Sequence, residues 1–386
     1  MSPTVAMAQR ASAFKARGER ILDFSVGEPD RPTPERICRA ACEAALHGET
    51  RYTPSAGIPA LREAVAQRYR QDAGAAFEPS QVVITAGGKQ ALYSSLQCLV
   101  DHGDEVIVPS PCWPSFPEAV RLAGGRPVLV AASARGGFRL TAALVRRGLS
   151  ARTRAVIVNS PCNPTGSVIA PEELLAIGRL AKRHGFVLFY DDTYASLTYE
   201  GGPQPLEPLR RLLGDRFAIL GTASKTYCMT GWRIGWLLGP KPLAEAVTAL
   251  ASHSTQCATS FAQVGAVEAL RGPQDDVAEL REEYRRRRDA IHSELVTIPG
   301  VRCARPAGAF YLYADVKAHL GGAVSTTLEL AQRLLDEQRL AVVPGEAFGT
   351  PGYLRIFFGR VLPELREGAA RLRSFLGGLG APRLGR

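Results

Sequence analysis

Lysine is what this chain runs short of: of 47 basic side chains only six are lysines, Lys15, Lys89, Lys182, Lys225, Lys241 and Lys317. Chemistry that needs a neutral amine therefore has few candidates. Lys15, Lys182, Lys241 and Lys317 lie in polar helical stretches or beside turn residues and read as solvated, which leaves Lys89 and Lys225. Other absences exclude whole classes. No apolar run approaches the roughly 20 residues of a membrane span. The first ten residues lack the basic-then-apolar order of a secretory leader, so the expectation is a cytoplasmic protein with no membrane partner. The eight cysteines are scattered, with no Cys-x-x-Cys pair and no histidine at ligand spacing, so they read as reduced, packed thiols and no metal is expected. Stacking aromatics are missing from the basic stretches. The formal charge is +10, yet the densest run, Arg285–Arg288, follows Glu282-Glu283-Tyr284 and reads as the solvated face of a helix. Nucleic acid is not an expected partner.

What is present is a chain of 386 residues, long enough for two domains, with 46% hydrophobic and 22% charged residues. After a helix over residues 3–20 and a short strand at 21–26, a break at Gly27-Glu28-Pro29-Asp30 leads to a helix from Pro34 to about Leu46. A Gly- and Pro-rich loop, Arg51–Pro59, precedes a helix over 60–72. The strand Gln81–Thr85 runs into Ala86-Gly87-Gly88-Lys89 and a helix to Leu99, the arrangement that aims backbone N–H groups at an anion. Short apolar strands then alternate with helices: Glu105–Pro109, Pro127–Val130, Ala155–Ser160, Val187–Asp191, Phe217–Gly221 and Ile234–Leu238. Near-continuous apolar strands between helices predict a mostly parallel, seven-stranded-type α/β sheet covered on both faces. A long helix over 275–295 leads to a smaller α+β domain with strands near 302–304, 309–314, 340–343 and 354–358. The domains are expected to be 45–285, and 1–44 together with 286–386.

In such sheets ligands bind beyond the carboxyl ends of the strands. Gly87–Lys89, Trp113, Asn163, Asp191 and Lys225 all fall there. The segment Thr222–Gly235 is the most informative. It sets a lysine among small and hydroxyl residues between two apolar runs and continues to Gly231-Trp232-Arg233. A buried ammonium is costly, and the chemistry that wants one is Schiff-base formation by a neutral amine. Taken alone, the segment is also compatible with a solvated turn.

Taken together, Gly27-Glu28-Pro29, Tyr52-x-Pro54-x-x-Gly57, Gly87-Gly88-Lys89-Gln90, Pro111-x-Trp113, Asn163-Pro164-Thr165-Gly166, Asp191-x-x-Tyr194, Ser224-Lys225 with Gly231-Trp232-Arg233, and Arg355 resemble the class I aminotransferases. These are fold-type I enzymes that use pyridoxal 5′-phosphate. The resemblance spans nearly the whole chain and implies a large cofactor-binding domain with a smaller companion. By it Lys225 is the Schiff-base lysine and proton carrier, Asp191 pairs with the pyridine nitrogen, and Tyr194 and Asn163 bind the phenolic oxygen. Gly88, Lys89, Thr222, Arg233 and, from a second subunit, Tyr52 hold the phosphate, while Trp113 stacks on the ring. Arg355 takes the substrate α-carboxylate with Asn163 and Gly27. The Gly-Gly-Lys-Gln form resembles the bacterial aspartate and aspartate/prephenate branch, which implies that Lys89 meets a side-chain carboxylate. Thr222 stands where serine is usual, Asp192 where glutamate is usual, and Ile356-Phe357-Phe358 replaces a more polar run. Cys112 stands where tyrosine or threonine is common. The expected activity is transfer of an amino group, from aspartate or glutamate, to a 2-oxo acid in a homodimer. The alternatives are elimination, replacement or cyclisation on the same scaffold, or a cofactor-binding regulator.

Overall fold

The computed structural model describes residues 3–201 and 204–380. The chain starts with α1 (Pro3–Ala16), β1 (Leu22–Asp23), α2 (Glu35–Leu46) and α3 (Pro59–Ala73). The large sheet and its helices follow: β2 (Val82–Thr85), α4 (Gly88–Leu99), β3 (Glu105–Ser110), α5 (Ser115–Leu122), β4 (Arg126–Ala131), α6 (Ala142–Gly148) and β5 (Thr153–Asn159). Next come α7 (Pro171–His184), β6 (Val187–Asp191), α8 (Leu206–Leu213), β7 (Phe217–Thr222), β8 (Gly235–Leu238), α9 (Lys241–His253) and α10 (Ser260–Arg271). The long α11 (Asp275–Leu295) leads to β9 (Arg302–Cys303), β10 (Tyr311–Asp315), α12 (Thr327–Gln338), β11 (Leu340–Ala341), β12 (Val343–Pro344), β13 (Tyr353–Phe357) and α13 (Leu362–Gly378).

The seven strands of the large sheet run in the order β2-β8-β7-β6-β5-β3-β4. Parallel pairing joins β7 through to β4, while β8 lies antiparallel between β2 and β7. The apolar alternation explains the burial of both faces. Val156 and Val158 pack under α3, α6, α7, α8 and α10, whereas Ala155 and Ile157 of the same strand pack under α4, α5 and α9. The helices carry their own stop signals: α7 opens on Pro171-Glu172-Glu173, ends on Lys182-Arg183-His184 and is closed by Gly185 at φ +80°.

A second core gathers α1, β1, α11, α12 and α13 around β10 and β13. In its four-stranded sheet β13 pairs antiparallel with β10, with Arg355 opposite Tyr313. Two helices, α8 and α10, lie in stretches to which the sequence reading assigned no element, and the strand expected over 21–26 is regular only at Leu22–Asp23. Because β7 and β8 are neighbours, the Lys225 segment is the connection between them and lies over the carboxyl edge of the parallel strands.

Candidate active site

Gly27, Gly88, Lys89, Trp113, Asn163, Asp191, Tyr194, Thr222, Lys225, Arg233 and Arg355 line a single cavity at that edge. Tyr52, also named from the sequence, is not among its lining residues and is 85% exposed.

One end of the cavity is built for an anion. β2 passes through Gly87, at φ +90°, directly into α4. A Cβ at Gly87 would come within 2.3 Å of Arg233 Nη2, so the missing side chain lets the guanidinium lie against the helix amino terminus. Gly235 does the same from β8: its Cβ would meet the Gly88 nitrogen at 2.3 Å. Arg233 is held from behind by Nη1 donating to the Thr230 carbonyl at 2.7 Å. The Thr222 hydroxyl donates to the Ile234 carbonyl at 2.8 Å. Free amides at a helix start and a guanidinium are a donor set for a phosphate, which the Thr222 hydroxyl joins by turning away from the Ile234 carbonyl.

Lys225 sits on the loop between β7 and β8, half-buried, with Nζ donating to the Gly27 carbonyl at 2.7 Å. Burial lowers its pKa to about 8; the Glu28 carboxylate opposes that shift and the Arg233 and Arg355 guanidinium groups add to it. Asp191 ends β6 directly beside Asn159, its register partner at the end of β5. Its Oδ1 accepts from the Thr193 N–H at 3.0 Å and the Asn159 amide at 3.3 Å, and burial pushes the carboxyl up to about 6. A cation placed beside it would offset that cost. Tyr194 shares a hydrogen bond of 3.0 Å with the Tyr311 hydroxyl, and burial holds its phenol neutral, well above the usual range.

Arg355 is buried, with Nη1 donating to Asn163 Oδ1 at 3.2 Å and Nη2 to the Ser25 carbonyl at 2.7 Å. Its Nε is buried without a partner. A buried guanidinium with a spare donor beside a cavity suits a carboxylate. The Lys89 ammonium lies 5.0 Å from the centre of the Trp113 ring, and Trp113 meets Phe116 edge to face at 5.4 Å.

The sequence reading gave no site role to Phe116, Asn159, Thr193, Ser224 or Tyr311, all of which line the cavity. Asn159 carried a usable signal, a polar residue at the carboxyl end of a buried parallel strand. Tyr311 carried a weaker one: it shares a strand face with Tyr313, which registers with Arg355.

The residues fit pyridoxal 5′-phosphate: an anion cradle between Gly87 and Arg233, a buried carboxylate suited to a protonated ring nitrogen, and an amine of lowered pKa between them. Comparison with known proteins agrees. Residues 19–372 match the family described as aminotransferase class I and II. The chain is 41% identical to the aspartate aminotransferase of Geobacillus stearothermophilus over 377 residues, covering 97% of this chain and 96% of that one. It is also 41% identical to the aspartate/prephenate aminotransferase of Cereibacter sphaeroides over 389 residues, covering 98% and 96% of the two chains. The solved aspartate aminotransferase of Thermus thermophilus with maleate superposes with a TM-score of 0.92 at 39% identity, over 97% of each chain. The chain belongs to the class I and II aminotransferases, pyridoxal 5′-phosphate enzymes that move an amino group from an amino acid to a 2-oxo acid.

Proposed function

We propose that the amino donor is a dicarboxylic amino acid, aspartate or glutamate, and that the enzyme works in the cytoplasm as a homodimer with its sites at the subunit interface. The observation that carries the donor is that Lys89 and Arg355, two cations suited to carboxylates, line the same cavity as the Lys225 amine. Relatives named aspartate aminotransferase support it. No helix among the described residues is long and apolar enough to cross a membrane.

The roles follow from the chemistry of the side chains. Gly88 and Lys89 amides, Thr222 and Arg233 hold the phosphate, joined by Tyr52 of the partner subunit. Asp191 holds a proton on the pyridine nitrogen, Tyr194 and Asn163 bind the phenolic oxygen, and Trp113 stacks on the ring. The bound cofactor supplies a carbonyl carbon to receive the amino group and a ring that withdraws electrons from the substrate Cα. Arg355, with Asn163 and the Gly27 amide, binds the α-carboxylate and so orients the Cα–H bond. Lys89 meets the side-chain carboxylate. Lys225, whose pKa of about 8 leaves about a tenth of it neutral at pH 7 and about half at pH 8, takes the proton from Cα and returns it on the cofactor side. We also propose the domain division 45–285 against 1–44 with 286–386. The two separate apolar cores support it, although α2, through Ile37, packs with the larger body.

The test is a single half-reaction. Mixed with aspartate or glutamate in the absence of any acceptor, the holoenzyme should lose the absorbance of its bound cofactor and release one equivalent of the matching 2-oxo acid. Release of ammonia, with the bound cofactor's absorbance retained, would favour an elimination and overturn the transaminase reading. Turnover of neutral donors alone would overturn the dicarboxylic assignment.

A further inference from the structure

The loop Gly27–Thr33 is tied down on both sides. Toward the cofactor loop, Thr230 donates to Glu28 Oε2 at 2.8 Å, and Thr33 donates to the Cys228 carbonyl at 2.6 Å while accepting from Trp232 Nε1 at 3.0 Å. Those three partners share one loop with Lys225 and Arg233. Toward the other body, Asp30 is gripped by α11: Arg287 Nη1 donates to its Oδ2 at 2.8 Å and the Tyr284 hydroxyl to its Oδ1 at 2.9 Å. The ion pair is shielded, with side-chain exposures of 6% for Arg287 and 15% for Asp30. Glu283 fixes the far side of the guanidinium through Nε at 2.8 Å, and the guanidinium carbon lies 5.4 Å from the centre of the Tyr284 ring.

A shielded ion pair is weak grounds for stability, because desolvation offsets its attraction; its better-attested use is to specify one geometry. What it specifies here is the backbone just upstream. The Ser25 carbonyl holds Arg355 Nη2 and the Gly27 carbonyl holds Lys225 Nζ, both at 2.7 Å. Ser25 and Asp30 are five residues apart, so roughly 18 Å of extended chain is the most that separates anchor from cargo. If Asp30 drifts, the two carbonyls that aim the carboxylate-binding guanidinium and the amine drift with it.

We propose that Asp30, Arg287 and Tyr284 form a clamp that positions the Ser25–Gly27 backbone, and through it Arg355, so that it sets the affinity for the α-carboxylate common to every amino donor and oxo acceptor. This rests on the assignment of Arg355 made above. None of the three lines the cavity, so they are positioning residues. The clamp joins α11 to a loop fastened to the cofactor loop, so it acts between the two apolar cores.

The experiment compares wild-type holoenzyme with Asp30→Asn, Arg287→Gln, Arg287→Lys, the Asp30→Asn/Arg287→Gln double variant, and Tyr284→Phe, which removes only a hydroxyl and keeps the ring. Half-reactions are followed with aspartate, glutamate and alanine, and with their oxo acids, at measured cofactor occupancy. The expected result is a rise in apparent dissociation constant of about tenfold or more for all six ligands alike, the worth of one charge-assisted hydrogen bond to the shared carboxylate. The saturating rate should fall by less than the affinity, Arg287→Lys should recover part of the loss, and the double variant should be no worse than the poorer single one. Tyr284→Phe should show the same pattern, smaller. Wild-type affinities at full occupancy, penalties confined to one donor's side chain, or additive losses in the double variant would each overturn the clamp. If wild-type protein itself releases no oxo acid from any donor, the transaminase reading fails instead, so the two failures are distinguishable.

Discussion

Lys225 and Lys89 share one cavity but differ in surroundings, and their behaviour should differ accordingly. The folded pKa of Lys225 lies near 8, below its ordinary value of 10.5, because burial disfavours the ammonium. Between those two values the unfolded chain binds more protons than the folded one, so this lysine's contribution to the stability of cofactor-free protein rises with pH across that window. Reductive methylation of cofactor-free protein, followed at Lys225 by mass spectrometry, should show reactivity rising through about pH 8. Glu28→Gln removes a carboxylate that favours the ammonium and should move the midpoint lower; a midpoint that rises would contradict the stated cause. Lys89, resting on Trp113, is assigned to the side-chain carboxylate. Lys89→Ala should therefore raise KM for aspartate by about 10- to 100-fold, the worth of one hydrogen bond to a charged group. KM for alanine should be unmoved. Unchanged aspartate kinetics would remove Lys89 from that role.

At the scale of elements, the anion site depends on two glycines rather than on charge alone. Gly235→Ala would drive a Cβ to 2.3 Å from the Gly88 nitrogen, a backbone atom that can yield only if α4 shifts. Cofactor affinity, measured by titrating cofactor-free protein, should fall at least about tenfold, with a stability cost of about 1–3 kcal/mol from overpacking. An unaltered affinity would mean that the helix start does not hold the phosphate. This strand–turn–helix was readable in the sequence because Val82-Val83-Ile84 is an apolar run and the Gly-Gly pair falls where it meets a helix. The parallel strands and α7 were readable for the same kind of reason. Helix α10 was not: it packs on α2 and α3 with Ala262, Gln263, Gly265 and Ala266 all buried, which blurs the one-sided pattern a surface helix displays. Helix α8 carries Pro205 before it and Pro208 within its first turn, residues that read locally as loop. Among the residues lining the cavity, Asp191 and Lys225 stood out as chemistry-bearing side chains at or just past strand ends, whereas Arg355, in the middle of β13, came only from the family resemblance. Tyr311 was not, because a tyrosine in an apolar strand looks like core until the sheet brings its hydroxyl to Tyr194.

For the whole molecule, the decisive feature is a residue that stays outside. Tyr52 is 85% exposed while the other residues named for the phosphate line the cavity, a disposition suited to reaching a second copy. If it does so, Tyr52→Ala and Lys225→Ala proteins, each nearly inactive, should regain activity when unfolded together and refolded as mixed dimers. Only the mixed dimer contains one site with an intact lysine and an intact tyrosine. No recovery, with mixed dimers demonstrated by mass, would mean that Tyr52 serves its own subunit or none.

On this reading Lys225 carries the proton that lets pyridoxal 5′-phosphate take the amino group of a dicarboxylic donor. The most direct test is the half-reaction with aspartate, run in parallel on wild-type and Lys225→Ala protein reconstituted with the cofactor. Wild type should convert one equivalent of aspartate to oxaloacetate per site with loss of the bound-cofactor absorbance, and Lys225→Ala should lack that absorbance and form no oxaloacetate. Oxaloacetate from Lys225→Ala at the wild-type rate, or its absence from wild type, would contradict the account.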